Sequence, residues 1–295
     1  MDFNKLQSFL VLAEIKNFTK AADQLYLTQP ALTKQIQALE NELGVTLFNR
    51  VGKSTFLTAE GKMLVNYAKQ TIAAYNNALE HIKQIQNLEE GTLNFGATNF
   101  IGTYLMPEVI AEFKKKYPNI TINMTINSST NILKKLHLNQ LEFAFVSDYI
   151  TQNTERYEIN KYMHDELQLI VSKKHPLFGK TSCSIKELEN EIYITKAPDS
   201  SQYKFIDLFL KNENFKFKNV MFIGQQDAIK ESVIHNLGIS FISTKAIERE
   251  VMHGDLWPLK IEEFDLKRDI QYVKLKDVVL SPAGSEFLKM LNEKS

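Results

Sequence analysis

The sequence predicts an α/β protein in three successive parts: a three-helix head closed by a β-hairpin, one long helix, and a larger region of two α/β units. Three observations predict it. Apolar residues recur at helical spacing through residues 1–88, a stretch whose only proline is Pro30 and whose only glycines are Gly44, Gly52 and Gly61. Two short β-type runs, Thr46 to Arg50 and Thr55 to Thr58, interrupt that pattern. Beyond Gly91 strand patterns alternate with helical ones, which implies a mostly parallel sheet.

The head reads as follows. Phe3, Leu6, Phe9, Leu10 and Ala13 mark a first helix. Thr19 is placed to cap a second, carrying Ala21, Ala22 and Leu25. After a tight break at Leu27, Thr28 caps a third helix with Pro30 in its first turn, where a missing N–H costs nothing. Leu32, Ile36, Leu39 and Leu43 form its apolar stripe, and Gly44 ends it. The two β-type runs, joined by Val51-Gly52-Lys53-Ser54, read as a hairpin, so the head is a winged helix-turn-helix.

From Ala59 to about Leu88 the pattern is again helical. Leu64, Ala68, Thr71, Tyr75, Ala78, Ile82 and Ile85 follow in steps of three and four, a heptad seam suited to pairing with a second helix. Packing on its own domain is the alternative. Glu89-Glu90-Gly91 closes this helix as a hinge. Strands are then expected at 93–97, 120–126 and 143–146, with helices at 106–116 and after a cap near Ser128 to Thr130. A second unit begins near Lys161, with strands at 167–171, 192–195, 220–223 and 239–242 and helices near 201–212 and 228–236. A strand at 270–275 and a helix from Ser281 return to the first unit. Trp257-Pro258 reads as a loop anchor.

Composition narrows the function. The 295 residues carry 35 Lys+Arg against 35 Asp+Glu, which argues against an indiscriminate nucleic-acid coater or a polybasic membrane binder. It leaves room for DNA binding by one part of the chain. The single cysteine, Cys183, rules out an internal disulfide and fits a reducing compartment. Its place in a polar run ahead of a helix makes a redox role conceivable and a plain loop residue the simpler reading. No run approaches a membrane span, and Phe9 to Ala13 lacks a basic leader, so the cytoplasm is the expected location. The six histidines are scattered, so no metal site is expected. No glycine-rich phosphate loop or other cofactor motif is present, and no nucleophile–base constellation points to an enzyme.

The third helix is the most informative segment. With Leu32, Ile36 and Leu39 facing the core, Gln29, Thr33, Lys34 and Gln37 face outward. A glutamine amide suits adenine, a threonine the thymine methyl, and a lysine guanine or phosphate. Thr28, Pro30 and the first-turn N–H groups form a helix N-terminus that receives a phosphate. Arg50 and Lys53 on the hairpin are placed for the flanking backbone or minor groove. A generic three-helix domain with a solvated polar face is the alternative, since residues 1–90 balance nine basic against nine acidic side chains.

These residues also carry a resemblance. Leu6-x-x-Phe9-x-x-x-Ala13-Glu14, Phe18-Thr19-x-Ala21-Ala22-x-x-Leu25 and Leu27-Thr28-Gln29-Pro30-Ala31-Leu32-Thr33-x-Gln35-Ile36 follow one another. Leu39-Glu40-x-x-Leu43-Gly44-x-x-Leu47-Phe48-x-Arg50 and Leu57-Thr58-x-x-Gly61 complete the run. The segment resembles the DNA-binding part of LysR-type transcriptional regulators nearly position for position. Tyr104-Leu105-Met106-Pro107, Tyr117-Pro118, His175-Pro176-Leu177 and Gly238-Ile239-Ser240 extend the resemblance, less specifically, to that family's effector-binding part. The resemblance implies a winged helix-turn-helix over 1–58, a dimerising linker helix over 59–90, and a periplasmic-binding-protein-like effector domain over 91–295. Its first lobe would span about 91–160 and 268–295, its second about 161–267. It further implies homodimers or homotetramers on double-stranded promoter DNA, with a small molecule in the cleft altering how the DNA is bent. Lys34 stands where the family commonly has arginine, which touches base specificity.

Ligands of open α/β sheets sit beyond the carboxyl ends of the strands. The corresponding loops here offer Thr98, Asn99, Phe100, Ser128, Ser129 and Ser147 from the first unit. The second unit offers Thr195, Lys196, Gln225 and an apolar wall at Ile239. Hydroxyls and amides beside two positive helix ends favour a small anion or carboxylate, an argument that Asp148 weakens and an inward Lys196 strengthens. The rival expectation is a cytoplasmic solute-binding protein whose helical N-terminus only oligomerises.

Overall fold

A computed structural model describes residues 2–51, 54–86, 90–148 and 154–293, the side chains of 50, 51, 86 and 154 excepted. The chain divides into two compact units, residues 1–91 with 137–141, and residues 92–136 with 142–295.

The first unit opens with α1 (Phe3–Ile15), α2 (Phe18–Gln24) and α3 (Gln29–Leu43), followed by β1 (Phe48–Val51), β2 (Ser54–Leu57) and α4 (Ala59–Gln86). Asn17, not Thr19, caps α2, its side chain accepting from Lys20 N at 3.0 Å. The helix thus begins two residues earlier than its composition suggested, because Asn17 is held extended and Phe18 opens the helix. Leu6, Phe9, Leu12, Leu32, Ile36, Leu39, Leu47 and Phe48 form one core. Leu43 departs from the expected stripe: it is 40% exposed, since Gly44 turns the chain away at a left-handed φ of 69° before the core reaches it.

Two details lock the hairpin to the helices. The Glu40 carboxylate accepts from Leu47 N at 2.7 Å and Phe48 N at 3.3 Å, tying the end of α3 to the entry of β1. Gly61 packs so closely that a Cβ there would lie 2.3 Å from the Leu47 carbonyl oxygen. The α4 seam splits along its length. Ala68 is buried in the head's own core and Leu64 packs against it, whereas Tyr75, Ile82 and Ile85 are exposed.

The second unit is built on a mixed sheet, not a mostly parallel one. Its strands are β3 (Gly91–Thr98), β4 (Ile120–Asn127), β5 (Phe143–Ser147), β6 (Tyr157–Ser172), β7 (Ser182–Cys183), β8 (Ile192–Thr195), β9 (Asn219–Phe222), β10 (Ser240–Ser243), β11 (Leu256–Ile261) and β12 (Leu266–Leu275). Between and after them run α5 (Met106–Lys116), α6 (Ser129–His137), α7 (Ser201–Asn212), α8 (Gln226–Ile234), α9 (Glu248–Met252) and α10 (Pro282–Asn292). The order β4-β3-β5-β12-β6-β11-β7 carries β10 beside β6 as well. The pairs β3–β5 and β11–β7 are parallel, while β12 is antiparallel to both β5 and β6, and β10 and β11 are antiparallel to β6.

The long strands explain the departure. The start of β6 and the end of β12 pair beside β5, whereas Leu167–Ser172 of β6 pair with β10 and β11. One antiparallel ribbon therefore runs through both lobes, with its register shifting between Ile270 and Gln271. Lobe I has an aromatic core in which Phe95, Phe113, Phe143 and Phe287 pack at 5.1–5.9 Å between centroids. Lobe II gathers Leu169, Leu188, Tyr193, Phe205, Ile239 and Phe241. There β8 pairs in parallel with β9 and exchanges backbone bonds with Ile239. Gly238 permits that approach, since a Cβ on it would stand 2.2 Å from the Ile192 carbonyl oxygen.

Two expectations for isolated residues change. Trp257 and Pro258 lie within β11 opposite Val171 and Ile170, and the indole N–H donates to Lys180 O at 2.6 Å. Cys183 is a core residue on β7 rather than an exposed helix-entry thiol. Burial, with Glu187, Glu262 and Glu263 nearby, pushes its pKa up to about 11, the opposite of what a reactive thiolate needs.

Candidate functional site

The helical unit presents one polar helix face. Thr28 holds an extended backbone ahead of α3, and its hydroxyl accepts from Ala31 N at 3.4 Å. Leu32, Ile36 and Leu39 are buried, while Gln29, Pro30, Lys34 and Gln37 are exposed and Thr33 is half-buried. Gln29 Nε2 donates to Thr33 Oγ1 at 3.1 Å, so these side chains stand together on the first two turns. Behind them Ser8 Oγ donates to Gln35 Oε1 at 2.5 Å, fixing α3 against α1. Arg50 lies on β1 with its backbone opposite Thr55. Lys53 lies outside the described residues.

One residue of this surface was missed. Tyr26, in the turn between α2 and α3, has a left-handed φ of 54° and is 98% exposed. A tyrosine held there, where asparagine or glycine is the ordinary choice, leaves its ring in solvent two residues before the α3 cap. The available signal was an aromatic residue in a break too tight for it to fold back onto the core.

The second unit contains a cavity of about 440 Å³ between its lobes. Thr98, Asn99, Phe100, Ser128, Ser129 and Ser147 all line it, and so do Lys196, Ser200, Ser201, Gln202 and Gly224 from lobe II. Two helix N-termini meet there. Ser128 Oγ accepts from Asn131 N at 3.4 Å at the start of α6, and Ser200 Oγ accepts from Tyr203 N at 3.2 Å at the start of α7. Their positive ends favour negative charge.

Three expected residues fall outside the lining. Ile239 is wholly buried in the lobe II core, because its backbone bonds to β8 and its side chain turns to the hydrophobic side of the sheet. Thr195 is buried with its hydroxyl unpartnered, on the same strand face as Tyr193. Gln225 precedes α8 with an exposed side chain that makes no capping bond, leaving Gly224 at the cavity wall.

The residue that reasoning along the chain did not find is Arg268, at the start of β12 and only 7% exposed. Its Nε donates to Asp165 Oδ2 at 2.7 Å, Ser243 Oγ donates to the other carboxylate oxygen at 2.5 Å, and the guanidinium lies 5.1 Å from the Phe100 ring centroid. Lys196 lines the same cavity. Desolvation holds its pKa below the usual lysine range, the Arg268 charge lowers it further, and Asp227 acts in the opposite sense. An opposite charge between these two cations would offset their repulsion and favour the charged form of Lys196. Among the described residues no group of histidine, cysteine and acidic side chains is arranged to hold a metal, and no helix is long and apolar enough to cross a membrane.

Two family models match the chain. Residues 3–62 match the model of a bacterial regulatory helix-turn-helix protein of the lysR family, and residues 86–295 match the LysR substrate binding domain. A probable RuBisCO transcriptional regulator of Thalassiosira pseudonana is 34% identical over 293 residues, 97% of this chain and 95% of the relative. Full-length CbnR, solved in complex with its target DNA, superposes with a TM-score of 0.75 at 20% identity, covering all of both chains. The CcmR regulatory domain of Synechocystis PCC6803, solved in complex with 2-PG, superposes with a TM-score of 0.63 at 24% identity, over 69% of this chain and 96% of that one. Likeness at these identities speaks for the fold.

Proposed function

The chain belongs to the lysR family, DNA-binding transcriptional regulators with an effector-binding domain, and from that premise we propose which residues read the DNA and what kind of effector the cleft takes. Membership disposes of the rival in which the N-terminal helices only oligomerise. The regulator acts on DNA in the cytoplasm and has no catalytic role of its own. In this reading α3 enters the major groove with Gln29, Thr33, Lys34 and Gln37 toward base edges. Thr28, Pro30 and Tyr26 meet the phosphates at its N-terminus, and Arg50 and Lys53 grip the flanking backbone. The exposed half of α4, from Tyr75 to Ile85, pairs two chains. Two-fold pairing implies an inverted repeat with half-sites about one helical turn, roughly 34 Å, apart.

The effector is a small organic anion bearing hydroxyl groups. The observation that carries this is the pairing of Lys196 and Arg268 across a cavity lined with serine and threonine hydroxyls. Asp165 already balances Arg268, so the uncompensated charge is close to that of Lys196 plus the partial charges of two helix ends. That suits a carboxylate with one net charge better than a polyanion.

Thermal-shift titration of the full chain with hydroxy-carboxylates and with their uncharged amides tests the ligand class. A carboxylate at about one hundred times its Kd stabilises by about 2.7 kcal/mol. The matching amide and the Lys196→Met variant should show no shift; equal shifts with acid and amide would refute the anion reading. For DNA, Gln29→Ala should alter sequence preference, while Arg50→Ala should weaken all sites alike and reduce the salt slope by about one. Identical behaviour of the two variants would refute the groove assignment.

A further inference from the structure

At the edge of the cleft a hydrogen bond joins the two lobes. Tyr104 belongs to lobe I, in the π-helical turn Ile101–Leu105 that leads into α5. Its hydroxyl donates to Asp227 Oδ1 at 2.5 Å, and Asp227 is in the first turn of α8 in lobe II. Lys230, the next turn of α8, is buried beneath the pair. Its ammonium donates to Glu250 Oε1 at 2.7 Å and to Ala246 O at 3.1 Å, lies 3.4 Å from Asp227, and stands 5.0 Å from the Tyr104 ring centroid. Glu250, Ala246 and Asp227 are all in lobe II, and the Tyr104 hydroxyl is the partner that Lys230 has in lobe I. If the lobes part, Lys230 and Asp227 stay together and Tyr104 is the group released.

The same contact abuts the cavity. Phe100, part of the cavity wall, packs on Tyr104 with ring centroids 6.0 Å apart and lies under the Arg268 guanidinium. Lys196 feels both Arg268 and Asp227. A ligand bound against Lys196, Arg268 and Phe100 therefore borders the groups that hold the lobes together.

We propose that Tyr104 and Asp227 form an interlobe latch, seated on Lys230, that sets the closed population of the cleft and hence effector affinity without touching the effector. The first half stands on the contacts above; the consequence for affinity rests on the effector reading. A ligand that needs the closed form binds with an apparent Kd equal to its intrinsic Kd divided by the fraction closed. Tyr104 is a positioning residue in this scheme. Its half-buried hydroxyl meets an ionised acceptor, the stronger class of hydrogen bond, on a carboxylate that is itself 72% exposed. Losing it should weaken ligand binding three- to ten-fold, where ten-fold corresponds to about 1.4 kcal/mol.

The test uses the full chain with spin labels at Val279→Cys in lobe I and Met252→Cys in lobe II, both highly exposed, while native Cys183 is buried. Labelled chains are diluted in unlabelled protein so that only distances within one chain are read. Tyr104→Phe, which keeps the ring against Phe100 and Lys230, should move population to a longer interlobe distance with little change in melting temperature. Asp227→Asn should do the same, and the double variant should add little to either. An unchanged distance distribution in Tyr104→Phe overturns the latch, as does a double variant whose shift is the full sum. Titration with glycolate, a hydroxy-carboxylate of one net charge, supplies the affinity arm, with a three- to ten-fold weaker Kd expected in Tyr104→Phe. If glycolate does not bind the unmodified chain, the anion reading fails, and the distance measurement still decides the latch.

Discussion

Replacing Asp165 by asparagine removes the partner of Arg268 while keeping the side chain's size. Asp165 and Arg268 side chains are 0% and 5% exposed and meet at 2.7 Å. With charge centres about 4 Å apart at an effective dielectric constant of about 20, their attraction is ~4 kcal/mol. Breaking such a buried pair from one side costs about 3–5 kcal/mol, because the remaining charge is left unpaired. Asparagine can still accept the Ser243 hydroxyl, so the low end applies, about 3 kcal/mol. For a folding unit of roughly 200 residues that is a fall of about 6–12 °C in Tm. Trp257, the sole tryptophan, packs against the lobe II core and reports unfolding there by fluorescence. The unpaired guanidinium also borders the cavity, so sulfate should raise the Tm of Asp165→Asn more than that of the unmodified chain. The double change Asp165→Leu with Arg268→Met should recover most of the loss, since a well-packed apolar pair avoids the desolvation cost. A fall below about 2 °C, or a sulfate response no larger than in the parent, would refute the view of Arg268 as a paired buried cation aimed at the cavity.

Two further outcomes follow from close packing and from the buried thiol. Gly61→Ala places a methyl 2.3 Å from the Leu47 carbonyl oxygen, which is backbone and hydrogen-bonded to Thr58 N, so the hairpin or α4 must shift. About 1–3 kcal/mol of destabilisation and weaker DNA binding are expected, measured by thermal unfolding and gel shift. Cys183 has a folded pKa raised from 9.0 to about 11, so its contribution to stability is fully present below pH 9 and is lost as the pH rises toward 11. Cys183→Ala should flatten that part of a stability–pH curve, and iodoacetamide should label the native thiol at pH 8 far more slowly than the denatured one.

What could be read along the chain was whatever local geometry decides. Leu32, Ile36 and Leu39 recur at the helical period, so the outward face with Gln29, Lys34 and Gln37 followed directly. Thr28, Pro30 and Gly44 bound α3 through backbone bonds within a few residues of themselves. Even locally the reading slipped where two caps competed: Asn17 and Thr19 are both good caps, and only the conformation of Asn17 distinguishes them.

The tertiary structure decided what depends on distant segments meeting. The mixed sheet arises because β12 lies between β5 and β6, a pairing across about a hundred residues that no short-range pattern encodes. Half of the α4 seam is taken up by the head's own core, which its regular spacing could not reveal. The cleft was legible as loops at strand ends, because hydroxyls and helix starts are local features, and seven of the expected residues line it. Arg268 was not, because an arginine in a charged stretch ordinarily faces solvent; only Asp165, 103 positions earlier in sequence, keeps it buried at the cavity. The sequence by itself determined the polar-faced third helix of the head and the family to which the chain belongs. Folding alone brought Arg268 to the cavity beside Lys196, because its burial depends on a partner distant in sequence.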